Sequence, residues 1–139
     1  PECQPLMMRL DGDLAAILDA CAGGTLAGVA DTIRWHDGTA LCVVMAAKGY
    51  PGAYQKGSVI DLAEAAAAAA ETVIFHAGTA TDSNGRLVSA GGRVLGVTAQ
   101  ASTVREARDR AYAVVDAMNW PEGFCRRDIA WRALERGNP

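Results

Sequence analysis

Ala40-Leu41-Cys42-Val43-Val44-Met45-Ala46 is an uninterrupted apolar run with no charge and almost no polar alternation. A strand with one wet face alternates apolar and polar side chains, so this run reads as a central strand covered on both faces. Thr32-Ile33-Arg34-Trp35-His36 precedes it, and Asp37-Gly38 between the two is a tight-turn pair. That order predicts a hairpin whose second strand is the central one. Arg93-Val94-Leu95-Gly96-Val97-Thr98-Ala99 is another apolar strand.

Outward from these strands the pattern becomes helical. Met7, Leu10, Leu14, Ile17, Leu18 and Cys21 recur at helical spacing while Arg9, Asp11, Asp13 and Asp19 take the opposite face, which predicts one amphipathic helix over 6–21 ended by Gly23-Gly24. Thr103 with Glu106 is a capping box, and Val104, Ala107, Ala111, Val114, Val115 and Met118 mark the core stripe of a second long helix stopped by Trp120-Pro121. The alanine run 65–70 gives a short helix or ordered loop, since such small side chains bury little surface. Residues 49–57, with three glycines and a proline, form a loop. Thr72-Val73-Ile74-Phe75-His76 is strand-like, and Asp82-Ser83-Asn84-Gly85 is a turn from which Arg86 to Ser89 returns antiparallel, a second hairpin. Beyond Trp120 lies a polar, aromatic tail over 124–134.

Composition bounds the rest. At 139 residues, 50% hydrophobic and 21% charged, the chain is long enough for a core without disulfide staples, and disorder, collagen and coiled coil are excluded. The most apolar stretch, 62–75, is mostly alanine and is broken by Glu64 and Glu71, so no membrane span is expected. A net charge of -3 gives no field to attract nucleic acid, and Arg126, Arg127 and Arg132 are diluted by Asp128 and Glu135 into a salt-bridged, solvated face. Cys3, Cys21, Cys42 and Cys125 show no C-x-x-C pair and no zinc-like grouping with His36 or His76, which reads as buried, reduced thiols in a cytosolic setting. The start at Pro1-Glu2-Cys3-Gln4, without an initiator Met or a secretory pattern, suggests a piece of something longer.

No generic catalytic template is present: the chain lacks G-x-S-x-G, H-E-x-x-H and the P-loop. It carries instead two glycine-rich loops after apolar strands, 49–57 and Gly91-Gly92-Arg93. Glycines let main-chain amides turn toward an anion and an arginine adds a forked contact to phosphate, while tight turns and close strand packing explain the same glycines without a ligand. Arg93 either pairs with a carboxylate such as Asp128 or sits beside the 49–57 loop to hold a phosphate. His76 ends a strand and is read as a hydrogen-bonded core residue or a ligand contact. Glu2 precedes the first helix and complements its dipole or faces a bound substrate or cation.

Five strings occur here in the order found in phosphoribosylamine–glycine ligases: Pro1-Glu2-Cys3-Gln4-Pro5, Val44-Met45-Ala46-Ala47-Lys48-Gly49-Tyr50-Pro51-Gly52, Phe75-His76-Ala77-Gly78-Thr79, Gly91-Gly92-Arg93-Val94-Leu95-Gly96-Val97-Thr98-Ala99, and the stretch 124–134, Phe-Cys-Arg-Arg-Asp-Ile-Ala-Trp-Arg-Ala-Leu. The chain resembles the C-terminal third of that family over essentially its whole length. Lys48, where many relatives carry a small residue, and Gln55 depart from the pattern and receive no family role.

The resemblance implies a purine-biosynthesis ligase that joins glycine to 5-phosphoribosylamine with ATP and Mg2+, through a glycyl phosphate. It makes Pro1-Glu2 the end of an R-F-G-D-P-E segment and places the nucleotide clasp and magnesium ligands before Pro1, so this chain offers a wall of the active site and is inactive alone. The fold expected is α+β: a leading helix from an ATP-grasp domain over 1–26, then over 27–139 a substrate-side domain with a mainly antiparallel, barrel-like sheet and a long packed helix. The substrate-binding set expected is Glu2, Gly49, Tyr50, Pro51, His76, Gly92 and Arg93, with no catalytic residue and no metal ligand assigned. The expected setting is cytoplasmic, with the missing N-terminal portion as partner. The rival expectation is a free-standing, non-catalytic ligand-binding or dimerisation module.

Overall fold

A computed structural model describes residues 2–137. In chain order it contains α1 (Cys3–Arg9), β1 (Leu10–Asp11), α2 (Leu14–Ala22), 3-10 turns at Leu26–Gly28 and Ala30–Thr32, β2 (Arg34–Trp35), β3 (Thr39–Ala47), α3 (Ala63–Ala67), β4 (Thr72–His76), β5 (Thr79–Thr81), β6 (Leu87–Ser89), β7 (Arg93–Ala101), α4 (Val104–Asp116), β8 (Gly123–Phe124) and α5 (Trp131–Glu135).

The apolar run is the middle of the molecule. β3 pairs antiparallel with β7 along its whole length, from Thr39 opposite Ala101 to Ala46 opposite Arg93, with an irregularity between Met45 and Ala46. β4 and β8 flank this pair, giving a four-stranded antiparallel sheet in the order β4-β7-β3-β8. Successive side chains in a strand point to opposite faces. Leu41, Val43 and Met45 therefore meet α4 together with Leu95, Val97 and Ala99, against Val104, Ala107, Ala111, Val114 and Val115. All of these are buried, each Val or Leu contributing about 1.5–3 kcal/mol, and the wholly buried Ala107 and Ala111 let the helix sit close to the strands. Cys42, Val44 and Gly96 take the other face, which α1 covers.

α4 starts as the sequence predicts, with Thr103 Oγ1 accepting from the Glu106 amide at 3.2 Å. The Glu106 carboxylate accepts from Ser102 Oγ at 2.7 Å, which holds its carboxyl below the usual range. The 49–57 loop and the short alanine helix α3 are also found as read.

Other expectations are corrected. The helix over 6–21 is two helices, because Asp13 caps α2 by accepting from the Ala16 amide at 3.1 Å and Leu10–Asp11 is extended against β2. An apolar stripe running through Gly12 gives no sign of that break. The first hairpin does not form: β2 pairs with β1, and the neighbours of β3 are β7 and β8. The Asp37-Gly38 turn serves instead to bring the chain into β3 against the far end of β7. Gly38 has φ +96°, and a Cβ there would run into the Ala101 carbonyl. The second hairpin keeps its turn but joins β5 to β6, not β4, whose partner is β7. Asp82 Oδ1 accepts the Asn84 and Arg86 amides at 2.9 Å each and so folds that turn. The sheet is open, with edges at β4 and β8, and is not barrel-like, since β5–β6 and β1–β2 form separate ribbons. The tail contributes β8 to the sheet edge and the short α5.

Gly38→Ala combines positive-φ strain with backbone overlap, so it should lower unfolding free energy by on the order of 2 kcal/mol. Denaturant titration of the variant, with an unchanged slope, is the measurement that checks this.

Candidate functional site

The face under α1 holds the charged groups the sequence singles out. Glu2 sits at the N-cap of α1. A hydrogen bond from its own backbone amide holds its carboxyl below the usual range, and the positive charge of Arg93 adds to this. Pro1, which begins the Pro1-Glu2 string, lies outside the described residues.

Arg93 opens β7, is exposed, and lines a cavity of about 220 Å³ with Gln4, Val44, Ala77, Leu95 and Gly96. Val44 also lines a neighbouring groove of about 480 Å³ walled by Glu2, Pro5, Ala40, Leu41, Cys42, Arg126 and Ile129. The expected pairing of Arg93 with Asp128 does not occur. Asp128 is taken by Arg126, whose Nε and Nη2 donate to its two oxygens at 2.9 and 2.6 Å. At the first position of its strand the Arg93 guanidinium leaves the sheet end directly and needs no buried acceptor.

The 49–57 loop is seated on the Gly91-Gly92-Arg93 turn. The Ala47 amide donates to Gly92 O at 2.8 Å, and a Cβ on Gly92 would lie 2.8 Å from Tyr50 Cε2 and 3.1 Å from Tyr54 Cε1. The two tyrosine rings meet edge-on at 6.2 Å, so only the bare backbone of a glycine fits beneath them. Gly49 turns the chain at φ +95°, and the Tyr50–Pro51 peptide that follows is cis. The far end of the loop is fastened by a buried polar chain. Trp120 Nε1 donates to Ser58 Oγ at 2.8 Å, Ser58 Oγ and Ser89 Oγ are 2.8 Å apart, and the Gly57 amide donates to Ser89 O at 2.6 Å. On its outer side Lys48, Ala53, Tyr54, Gln55 and Glu122 line a polar cleft.

Of the expected set, the fold brings Tyr50 onto Gly92, with Gly49 and Pro51 in the same turn, and Glu2 into the field of Arg93. His76 is not a core residue: it is exposed at the end of β4, with Nδ1 3.2 Å from Thr79 Oγ1, and the next residue, Ala77, lines the Arg93 cavity. Sequence reasoning missed Gln4, Arg126 and Ile129 as lining residues. Arg126 was legible only as part of a salt-bridged surface, which its pairing with Asp128 bears out. Among the described residues no three His, Cys, Asp or Glu side chains converge as metal ligands would.

All four cysteines are free, but they are not uniformly buried. Cys3 and Cys21 are exposed, since α1 buries no residue and α2 buries only Ala20. Cys42 is half-buried in the groove, donates to Gln4 Oε1 at 3.0 Å, and has its thiol pushed up by burial, as has Cys125.

Residues 40–132 match the family described as "Phosphoribosylglycinamide synthetase, C domain". The chain belongs to that family. The match to this C domain starts in β3 and ends in α5, so it takes in the open sheet, the 49–57 loop and α4, while α1 to β2 precede it. The chain is 57% identical over 136 residues to the phosphoribosylamine–glycine ligase of Mesorhizobium japonicum, covering 98% of this chain and 31% of that protein. It is 54% identical over 137 residues to the chloroplastic phosphoribosylamine–glycine ligase of Arabidopsis thaliana, covering 98% of this chain and 25% of that protein. The crystal structure of the Thermotoga maritima phosphoribosylamine–glycine ligase superposes with a TM-score of 0.57 at 42% identity, over 66% of this chain and 22% of that one. The chain thus spans about a quarter to a third of the length of these relatives.

The thiol environments set an order of reactivity. Alkylation of the native protein followed by mass spectrometry should label Cys3 and Cys21 first and Cys42 and Cys125 at least about tenfold more slowly, because the thiolate is the reacting species.

Proposed function

We propose that the chain is the C-terminal part of a phosphoribosylamine–glycine ligase and forms the wall of its active site that holds 5-phosphoribosylamine. The observation that carries this reading is the seating of the 49–57 loop on Gly92 beside Arg93, with Glu2 within the field of that arginine. The 5-phosphate takes the forked donors of Arg93 and exposed amides of the loop, and Glu2, held ionised, presents an acceptor to the rest of the substrate. Gly49, Tyr50, Pro51 and Gly92 shape that pocket, and His76 stands at its margin. ATP and Mg2+ would supply activation of the glycine carboxylate. Among the described residues no three His, Cys, Asp or Glu side chains come together as metal ligands would, which supports assigning the groups that hold them to the rest of the enzyme.

The division into 1–26, closing an ATP-grasp domain, and 27–139, the substrate-side domain, is supported by what the first segment leaves uncovered. Leu6, Leu14, Leu18 and Leu26 are all exposed there, an apolar surface that fits burial against the rest of the ligase. The cytoplasm is the proposed setting. No helix among the described residues is long and apolar enough to cross a membrane. A free-standing module is the weaker reading, since the ligases match 98% of this chain.

In the full-length enzyme, Arg93→Ala should raise the KM for phosphoribosylamine roughly 10- to 100-fold, the equivalent of about 1.5–3 kcal/mol for a lost charge-assisted hydrogen bond. The KM values for ATP and glycine and the melting temperature should stay near wild type, and an unchanged phosphoribosylamine KM removes Arg93 from the site. The 139-residue chain alone should show no ligase turnover and no saturable heat with Mg-ATP in calorimetry. Micromolar binding would overturn the assignment of the nucleotide site to the rest of the enzyme.

A further inference from the structure

The stretch 125–130 leaves β8 with no strand or helix of its own, yet it places two residues, Arg126 and Ile129, in the groove that Glu2 and Cys42 also line. Its backbone is held mainly by one side chain on α4. The Tyr112 hydroxyl donates to Arg126 O at 2.7 Å and accepts from the Ile129 amide at 3.2 Å. One phenol thus closes both ends of a four-residue arc. The ring is itself held, with the guanidinium carbons of Arg108 and Arg127 5.3 and 5.4 Å from its centroid. Arg108 Nη2 donates to Arg127 O at 3.3 Å, and Arg127 Nη1 lies 2.6 Å from Asp116 Oδ1. The other side-chain contacts are an exposed ion pair, two stacked cations and the long Arg108 bond to the Arg127 carbonyl, each individually weak. The hydroxyl is the group whose geometry fixes where the arc lies.

The core does not need this hydroxyl. α4 is anchored by Val104, Ala107, Ala111, Val114 and Val115 on its buried stripe, and Tyr112 lies half-buried beside that stripe. A phenylalanine would keep the ring and both cation contacts while releasing a carbonyl and an amide that water can satisfy. What it removes is the pin on Arg126 and Ile129.

We propose that Tyr112 is a positioning residue for the substrate groove: its hydroxyl sets the 126–129 arc so that Arg126 and Ile129 form part of the wall of the groove that Glu2 also lines. This rests on the reading of Glu2 and Arg93 as part of the phosphoribosylamine site, with the groove that Glu2 lines as its continuation. Tyr112 touches no substrate and acts through Arg126 and Ile129.

The test uses the full-length enzyme carrying Tyr112→Phe, followed by amide hydrogen exchange and by steady-state kinetics with each substrate varied. Exchange at the amides of residues 126–129 should accelerate on the order of tenfold. The KM for phosphoribosylamine should rise about fivefold, with kcat and the KM values for ATP and glycine within about twofold of wild type. In an Arg126→Gln background, Tyr112→Phe should add little further, since the two changes act on one contact. A loosened arc with an unchanged phosphoribosylamine KM overturns the proposal. So does an unchanged exchange rate, a uniform fall in all kinetic parameters along with melting temperature, or a full additional effect in the Arg126→Gln background. Arg93→Ala, run in parallel, separates this from the site assignment. If that variant also leaves the phosphoribosylamine KM unchanged, the assignment of the phosphoribosylamine site to this face fails and the positioning role falls with it, while the exchange data still report whether the hydroxyl holds the arc.

Discussion

The pairing of β3 with β7, from Thr39 opposite Ala101 to Ala46 opposite Arg93, is the constraint on which the other elements depend. Two nearly continuous apolar strands cannot leave either face in water, so each face must be covered. α4 covers one with a dry layer of Val, Leu and Ala. α1 covers the other more thinly, through Gln4 against Cys42 and Gly96, and leaves openings at its margins. The same ladder decides where the charged end lies. Arg93 is the last β7 partner of β3 at the end where the 49–57 loop begins, so pairing register, loop and guanidinium arrive together.

The energetic character of the two faces differs. The α4 side contains the largest fully buried residues, including Leu95, Val43, Val97 and Val114, and supplies the stability. The α1 side is polar at its edges, with Glu2, Arg93 and Arg126 around small and apolar floor residues, an arrangement suited to holding a charged molecule in a partly desolvated setting. The chain spans about a quarter to a third of the length of the ligases it resembles.

The elements legible in the sequence are those whose signal is local and long. β3, β7 and α4 each carry a periodic or continuous apolar pattern over most of their length, and Thr103 caps α4 as its spacing requires. The partners of short strands were not legible. Arg34–Trp35 and Leu87–Ser89 are strand-like in sequence and their turns are legible, but β2 joins β1 and β6 joins β5. In the candidate site, the glycine loops and Arg93 were recognisable as residue types suited to an anion, and their adjacency follows from the β3–β7 register. Gln4, Arg126 and Ile129 gave no comparable signal, because they enter the groove from a helix margin and from an irregular arc whose position is set by Tyr112.

What the sequence by itself determined is the set of segments that must be buried on both faces, the helix that must cover one of them, the family the motifs resemble, and the chemical types gathered near the glycines. Each is written in side-chain polarity along the chain, a property that local spacing reveals. Only the tertiary structure decided which strand edges meet, that the sheet stays open, that the first helix is interrupted by the extended Leu10–Asp11, and that Asp128 belongs to Arg126 and not to Arg93. The physical reason is that backbone hydrogen bonding is nearly indifferent to residue type. Alternative pairings of short strands, or of one carboxylate with several arginines, differ locally by little, and the choice falls to the packing of the whole chain around the β3–β7 ladder.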